Sequence, residues 1–133
     1  MLSKNLRKLP KIELHLHLDC CLSFDVVKKI NPKIDIEAYN KKFKAPSTCS
    51  SVKEYIKCAE YAVDLMQDEK SISLIVEDLF EQLKAENIIY VEIRFAPLLH
   101  CRGELSSKEV VQIVDDICKK CSKKYGIHYA LIL

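Results

Sequence analysis

The sequence predicts an α/β fold built on a parallel sheet, and three observations carry that prediction. Residues 12–19, 88–95 and 127–133 have the apolar alternation or β-branched and aromatic composition of strands. Residues 52–66, 71–84 and 106–125 repeat apolar side chains at helical spacing. The two kinds of segment alternate along the chain. Successive strands are therefore joined by helical crossovers, which makes them parallel and the crossovers right-handed.

Residues 1–8 form a polar lead-in that suits a short helix, and Pro10 stops it and opens the first strand. In that strand Ile12, Leu14, Leu16 and Leu18 alternate with Glu13, His15, His17 and Asp19. Strict alternation assigns the apolar set to a packed face and the ionisable set to the other. Ser23 caps a short helix over 24–30, which Asn31-Pro32 ends. Asp35 caps another through residue 43, and the turn-rich residues 44–50 form a loop.

Ser51 and Glu54 have the spacing of a capping box. Val52, Tyr55, Ile56, Ala59, Ala62, Val63 and Met66 then share one helix face. The helix over 71–84 presents Ile72, Ile75, Val76, Leu79, Phe80 and Leu83. Core packing is the expected role of both stripes. In the second strand, 88–95, Val91, Ile93 and Phe95 point one way and Glu92 and Arg94 the other. Arg94 there suits a structural ion pair with Glu13 or Glu92. Pro97 ends the strand, and His100 reads as a loop residue. Ser106 and Glu109 form a second capping box, and Gly126 fits the position just after the helix end. His128 opens the third strand and reads as structural.

The 133 residues amount to one domain. With 21 Lys+Arg against 19 Asp+Glu, a net +2, the chain has no electrostatic footprint for nucleic acid. The Lys119-Lys120 and Lys123-Lys124 pairs read as a solvated helix face. No apolar run approaches the ~18 residues of a membrane span, and no signal-type apolar region follows the N-terminal charges. Neither a nucleic-acid nor a membrane partner is expected. The seven cysteines are odd in number and irregularly spaced, which predicts free thiols in a reducing, cytoplasmic setting. Cys118 and Cys121 fall inside an amphipathic helix with no second pair, so a zinc knuckle is not expected there.

The ionisable row of the first strand is the chemical signal. A solvated strand face usually carries Lys, Thr or Ser, and an unpaired buried charge is costly. Residues two apart on a strand are roughly 6.5–7 Å apart at Cα with side chains on one side. Two imidazoles so placed can converge on one cation, at about 2.0–2.1 Å each for zinc. His15 and His17 are therefore candidate metal ligands, and a complete site needs at least one more.

The stretch Pro10-Lys11-Ile12-Glu13-Leu14-His15-Leu16-His17-Leu18-Asp19 resembles the opening motif of the adenosine deaminase family, Pro-Lys-x-Glu-Leu-His-x-His-Leu-Asp-Gly. The match breaks at the last position, where Cys20 stands for Gly. Tyr90-Val91-Glu92-Ile93-Arg94-Phe95-Ala96-Pro97 resembles the family's second-strand motif. The resemblance covers essentially the whole chain but only the first part of a family member. It implies one adenosine deaminase-like domain over 1–133, the N-terminal part of a (β/α)8 TIM barrel. About three parallel strands with crossover helices are expected, the barrel incomplete. A full barrel needs about 250 residues. A fragment or truncated gene product is therefore expected, with an open sheet edge that invites self-association.

The resemblance also implies zinc-dependent hydrolytic deamination of adenosine, a purine nucleoside, to inosine and ammonia. By resemblance His15 and His17 hold one Zn2+ and Asp19 contacts a ribose hydroxyl. Tyr55, Ile56 and Ala59 align with the apolar patch of a helix that overhangs the substrate, Ala59 standing where an aromatic is expected. The family's third His, metal Asp and acid Glu would lie beyond Leu133, so catalytic residues are expected downstream and none in this chain. Two other readings stay open: a related amidohydrolase acting on adenine or an adenine nucleotide, and a catalytically inactive fragment. Cys20 itself can crowd the nucleoside, pack as a small hydrophobe, or replace an absent zinc ligand.

Overall fold

The computed structural model describes residue 6 and residues 8–133. The helix expected over residues 1–8 falls, apart from Leu6 and Lys8, outside the described residues. Strands β1 (Lys11–His17), β2 (Ile88–Arg94) and β3 (His128–Ile132) form one parallel sheet in the order β1-β2-β3. Five α-helices are present among the described residues: α1 (Phe24–Ile30), α2 (Ile36–Lys42), α3 (Val52–Leu65), α4 (Glu69–Ala85) and α5 (Ser107–Tyr125). A single 3-10 turn follows each of the first two strands, Leu18–Cys20 after β1 and Pro97–His100 after β2. Three parallel strands in sequence order, joined by helical crossovers, are the arrangement of a partial (β/α)8 barrel.

Local chemistry sets the helix starts. Ser23, Asp35, Ser51 and Ser106 each accept a hydrogen bond from a backbone N–H in the first turn, at the predicted caps. The box at Ser106 is complete, because the Glu109 carboxylate returns to the Ser106 N–H and hydroxyl. The box predicted at Ser51 is not reciprocal: Glu54 reaches one residue further back and accepts from the N–H and hydroxyl of Ser50. Helix α4 begins two residues before its predicted start. Its cap is Asp68, whose carboxylate accepts from the N–H and hydroxyl of Ser71 at 2.9 and 2.8 Å. Gly126 ends α5 at φ +69°, the left-handed conformation for which glycine is best suited.

The core lies between the sheet and helices α1, α4 and α5. Val91 and Ile93 of β2, with Phe95 just after it, lie in it together with Ile72, Ile75, Val76, Leu79 and Phe80 of α4. Val110, Val114, Cys118 and Cys121 close it from α5, so the Cys118–Cys121 pair is core material. Burial pushes both thiols up, Cys118 well above the ordinary cysteine range.

Strand β1 departs from the alternation its sequence suggests. Glu13 pairs with Val91 and Leu16 with Ile93, so three steps on β1 match two on β2. The extra residue is absorbed as a bulge, with His15 at φ +57°. A one-residue slip exchanges the faces of a strand. Glu13 consequently lies with Leu16, Leu79 and Leu83 on the helix side, instead of in a row with the histidines. Ile12 and Leu14 are 58% and 54% exposed, instead of packed.

Two further expectations are corrected by packing. The stripe of α3 is buried only in its second half, at Ala62 and Val63 and on to Met66, while Val52, Tyr55 and Ile56 are exposed. Arg94 forms no ion pair among the described residues. It stands in register with His17, at the opposite end of the strand pair from Glu13.

Candidate functional site

The candidate site lies at the C-terminal end of β1. The rings of His15 and His17 are neighbours, with centroids 5.3 Å apart and planes inclined by 49°. Two imidazoles on one tetrahedral zinc, each nitrogen about 2.0–2.1 Å from the ion, have ring centres roughly 5.2 Å apart. The observed spacing fits that arrangement. It is reached through the left-handed backbone of His15, a conformation uncommon for a residue with a side chain. Without the bulge, strict alternation would also place both rings on one face. With it, Leu16 is free to pack inward between them.

Strand geometry stops at His17. Asp19 lies in the turn that follows and is buried, with Leu18 beside it in the core. Its Oδ1 is 3.8 Å from His17 Nδ1 and 3.8 Å from the Cys20 sulfur. A nitrogen of His17, a carboxylate oxygen of Asp19 and Sγ of Cys20 all lie within 4.8 Å of one another. His15 stands outside that group of three. Cys20 is exposed as a residue, but partial burial of its sulfur and then the Asp19 carboxylate push its pKa up to about 11. It is therefore a poor free nucleophile at neutral pH.

The turn is tied down from behind by α4. Asp78 accepts from the Ser23 N–H at 3.1 Å and the Ser23 hydroxyl at 2.5 Å. Gln82 donates to the Cys21 carbonyl at 2.7 Å and to Asp78 at 2.8 Å. These long-range bonds leave no motif in the sequence, because 55 and 61 residues separate the partners.

His100 is the residue the sequence reading undervalued. It is fully buried, ending the turn after β2. Its Nδ1 lies 3.2 Å from the Met66 carbonyl, so Nδ1 carries the proton. Its Nε2 is the one buried side-chain nitrogen or oxygen without a hydrogen-bond partner among the described residues. Burial holds its pKa below the ordinary histidine value, against the opposing pull of Asp19 and the Met66 carbonyl. A histidine three residues after a strand-ending proline is the only sequence trace of it.

Helix α3 packs against both strand-end turns with its second half. Of the predicted substrate contacts, Tyr55 and Ile56 are 59% and 52% exposed, and Ala59 is half-buried. They form an apolar surface on the helix nearest the site, without enclosing it. A groove of about 620 Å3 between β1, α2 and α4 reaches Glu13 and Cys20 but neither histidine.

Parallel strands in sequence order with crossover helices, and ionisable side chains gathered at a strand's C-terminal end, are the arrangement of a (β/α)8-barrel wall. The comparisons narrow the class. The adenosine deaminase family model matches residues 10–133, and the chain belongs to that family. It is 38% identical over 136 residues to the adenosine deaminase of Clostridium botulinum strain Langeland, covering 97% of this chain and 41% of that protein. The chain thus spans about two fifths of the length of the curated relatives it matches. Among solved structures, an adenine deaminase from Arthrobacter aurescens superposes with a TM-score of 0.76 at 19% identity, over 92% of this chain and 38% of that one. An amidohydrolase from Burkhoderia ambifaria with bound Zn gives 0.76 at 17% identity, over 96% and 36%. At these identities the likeness is one of fold. No helix among the described residues is long and apolar enough to cross a membrane.

Proposed function

We propose that this chain is the metal-anchoring first part of an adenosine deaminase barrel. In this reading His15 and His17 hold one zinc ion, and Asp19 accepts a hydrogen bond from a ribose hydroxyl. Tyr55, Ile56 and Ala59 of α3 cover the apolar face of the nucleoside. The supporting observation is the 5.3 Å approach of the two imidazole rings at the C-terminal end of β1, in a member of this family.

The reaction is hydrolytic deamination of adenosine to inosine and ammonia. A bound zinc ion supplies hydroxide near neutral pH by lowering the pKa of its water. The residues of this chain bind and orient. The imidazoles fix the ion beside the β1 turn, the buried Asp19 fixes the sugar, and the apolar front of α3 offers a surface for the base. The two family motifs supply no third His, metal Asp or acid Glu of the kind the resemblance implies. In this reading the 133 residues by themselves bind without turning over. Adenosine is favoured over adenine or an adenine nucleotide because the relatives at 38% identity are adenosine deaminases. Seven free cysteines suit a reducing cytoplasm. The open outer edges of β1 and β3, with Ile12 and Leu14 exposed, favour pairing with a second copy or with further barrel strands.

The test adds zinc to the metal-stripped chain and follows the absorbance change from adenosine to inosine, alongside a zinc titration. One equivalent of zinc should bind without turnover, and His15→Ala should lower the affinity steeply. Zinc-dependent turnover by the 133-residue chain would refute its inactivity. Unchanged zinc affinity in His15→Ala would refute the metal assignment.

A further inference from the structure

Cys20 departs from the family motif at its one glycine, and the structure puts its sulfur beside two other metal-type donors. The geometry points to Cys20 as an additional ligand of the metal at β1, acting together with His17 and Asp19. This rests on the reading of His17 as a ligand, and it adds a donor that the family motif does not contain.

Three observations support it. First, the donor atoms already converge: Asp19 Oδ1 is 3.8 Å from both His17 Nδ1 and Cys20 Sγ, and the group closes within 4.8 Å. The edges between N, O and S ligands on a tetrahedral zinc are roughly 3.4–3.6 Å, from bond lengths of about 2.0–2.3 Å. The two edges through Asp19 need to shorten by a few tenths of an ångström, and the edge between His17 and Cys20, within 4.8 Å, closes by rotation of the exposed Cys20 side chain. Second, the turn carrying Asp19 and Cys20 is held in place. Gln82 bonds the Cys21 carbonyl, and Asp78 bonds both polar groups of Ser23. Third, the chemistry is selective. Imidazole, carboxylate and thiolate form a borderline-soft set that suits zinc or cobalt, while magnesium and calcium prefer oxygen alone. The thiol proton passes to solvent as the sulfur–metal bond forms, so no oxidant or reductant is required. Asp19 can serve the metal or a ribose hydroxyl, one at a time. Metal held through Cys20 therefore opposes nucleoside binding.

The experiment titrates the reduced, metal-free chain with Co2+ and reads its electronic spectrum. A thiolate-to-cobalt charge-transfer band in the near ultraviolet should grow to one equivalent. Cys20→Ser should abolish the band, and Cys20→Gly should weaken cobalt binding by at least about tenfold, the loss that even outer-shell changes produce. Cys21→Ser and Cys58→Ser should keep the band. Circular dichroism of each variant confirms that it is folded. Cobalt bound without the band, yet lost in His17→Ala, overturns the Cys20 assignment and leaves the histidine site standing. A band that survives Cys20→Ser also overturns it. No cobalt binding overturns both readings.

Discussion

His100 gives the sharpest test of how the two strand-end turns are held. Replacing it with alanine removes the bond from Nδ1 to the Met66 carbonyl, worth about 0.5–1.5 kcal/mol net. The substitution also empties a fully buried site the size of a ring, and core truncations of comparable size cost about 2–5 kcal/mol. Relief of the unpartnered Nε2 offsets part of this, so the expected loss is roughly 2–4 kcal/mol. His100→Asn keeps a donor near Nδ1 and should lose about half as much. The pH dependence separates the imidazole's ionisation from simple packing. Burial holds the folded pKa below the ordinary 6.5, so the unfolded chain binds this proton more readily. The group's contribution is complete above that value and is lost as pH falls from it through the folded pKa. Urea unfolding followed by circular dichroism, at about pH 7.5 and about pH 5.5, compares the two sides of the ordinary histidine value. Wild type should lose more stability on acidification than His100→Asn, by no more than about 1.4 kcal/mol per pH unit for one proton. Equal acid losses in the two proteins, or a His100→Ala cost below about 0.5 kcal/mol, would refute the reasoning.

Other substitutions test separate parts of the framework. Asp78→Ala strips both polar groups of Ser23 of their acceptor and should cost about 2 kcal/mol in urea unfolding, with Asp78→Asn milder. Gly103→Ala places a Cβ 2.8 Å from the Gln67 backbone carbonyl oxygen. That strains the segment where Gln67 bonds the Leu99 carbonyl and the Arg102 N–H, at an expected cost of about 1–3 kcal/mol. Gly126→Ala meets open space, so only its left-handed backbone is penalised, by about 1 kcal/mol. Thermal melts should rank Gly103→Ala below Gly126→Ala. Tyr55→Ser with Ile56→Ser should change stability by less than about 0.5 kcal/mol per site, because both are exposed. The same pair should weaken adenosine binding measured by calorimetry. A large loss of stability would return the front of α3 to the core.

How much of this was legible depended on how local each feature is. Four caps were read correctly because the capping bond joins residues three apart. The start of α4 was misplaced by two residues because Asp68 and Ser71 are both good cap residues, and only the observed bond between them distinguishes cap from first turn. That the strands are parallel followed from the alternating element types, and their sequential order β1-β2-β3 from the resemblance to a barrel family. The bonds from Asp78 and Gln82 to the loop after the site were invisible, since nothing in either residue marks its distant partner.

The misreadings of β1 and α3 have a common origin. Periodicity reports that a face is apolar, but not what covers it. In β2 the alternation and the burial agree, because helices α4 and α5 lie over Val91 and Ile93. In β1 the same alternation runs into a bulge, and the bulge depends on fit to β2 rather than on composition. Leu16 turns inward, Ile12 and Leu14 turn outward, and His15 takes the strained backbone that keeps its ring beside that of His17. Strain in a folded protein persists only where the surroundings over-determine it, and it clusters at functional sites. The place where the sequence pattern failed is therefore also the place where the two candidate metal ligands meet. In α3 the apolar stripe divides between core and surface at Ala59, the half nearer the strand-end turns packed and the other half open. Both departures leave apolar side chains open on the strand that carries the candidate site and on the helix beside it. In the proposed function that open surface would meet the purine while the two imidazoles meet the ion.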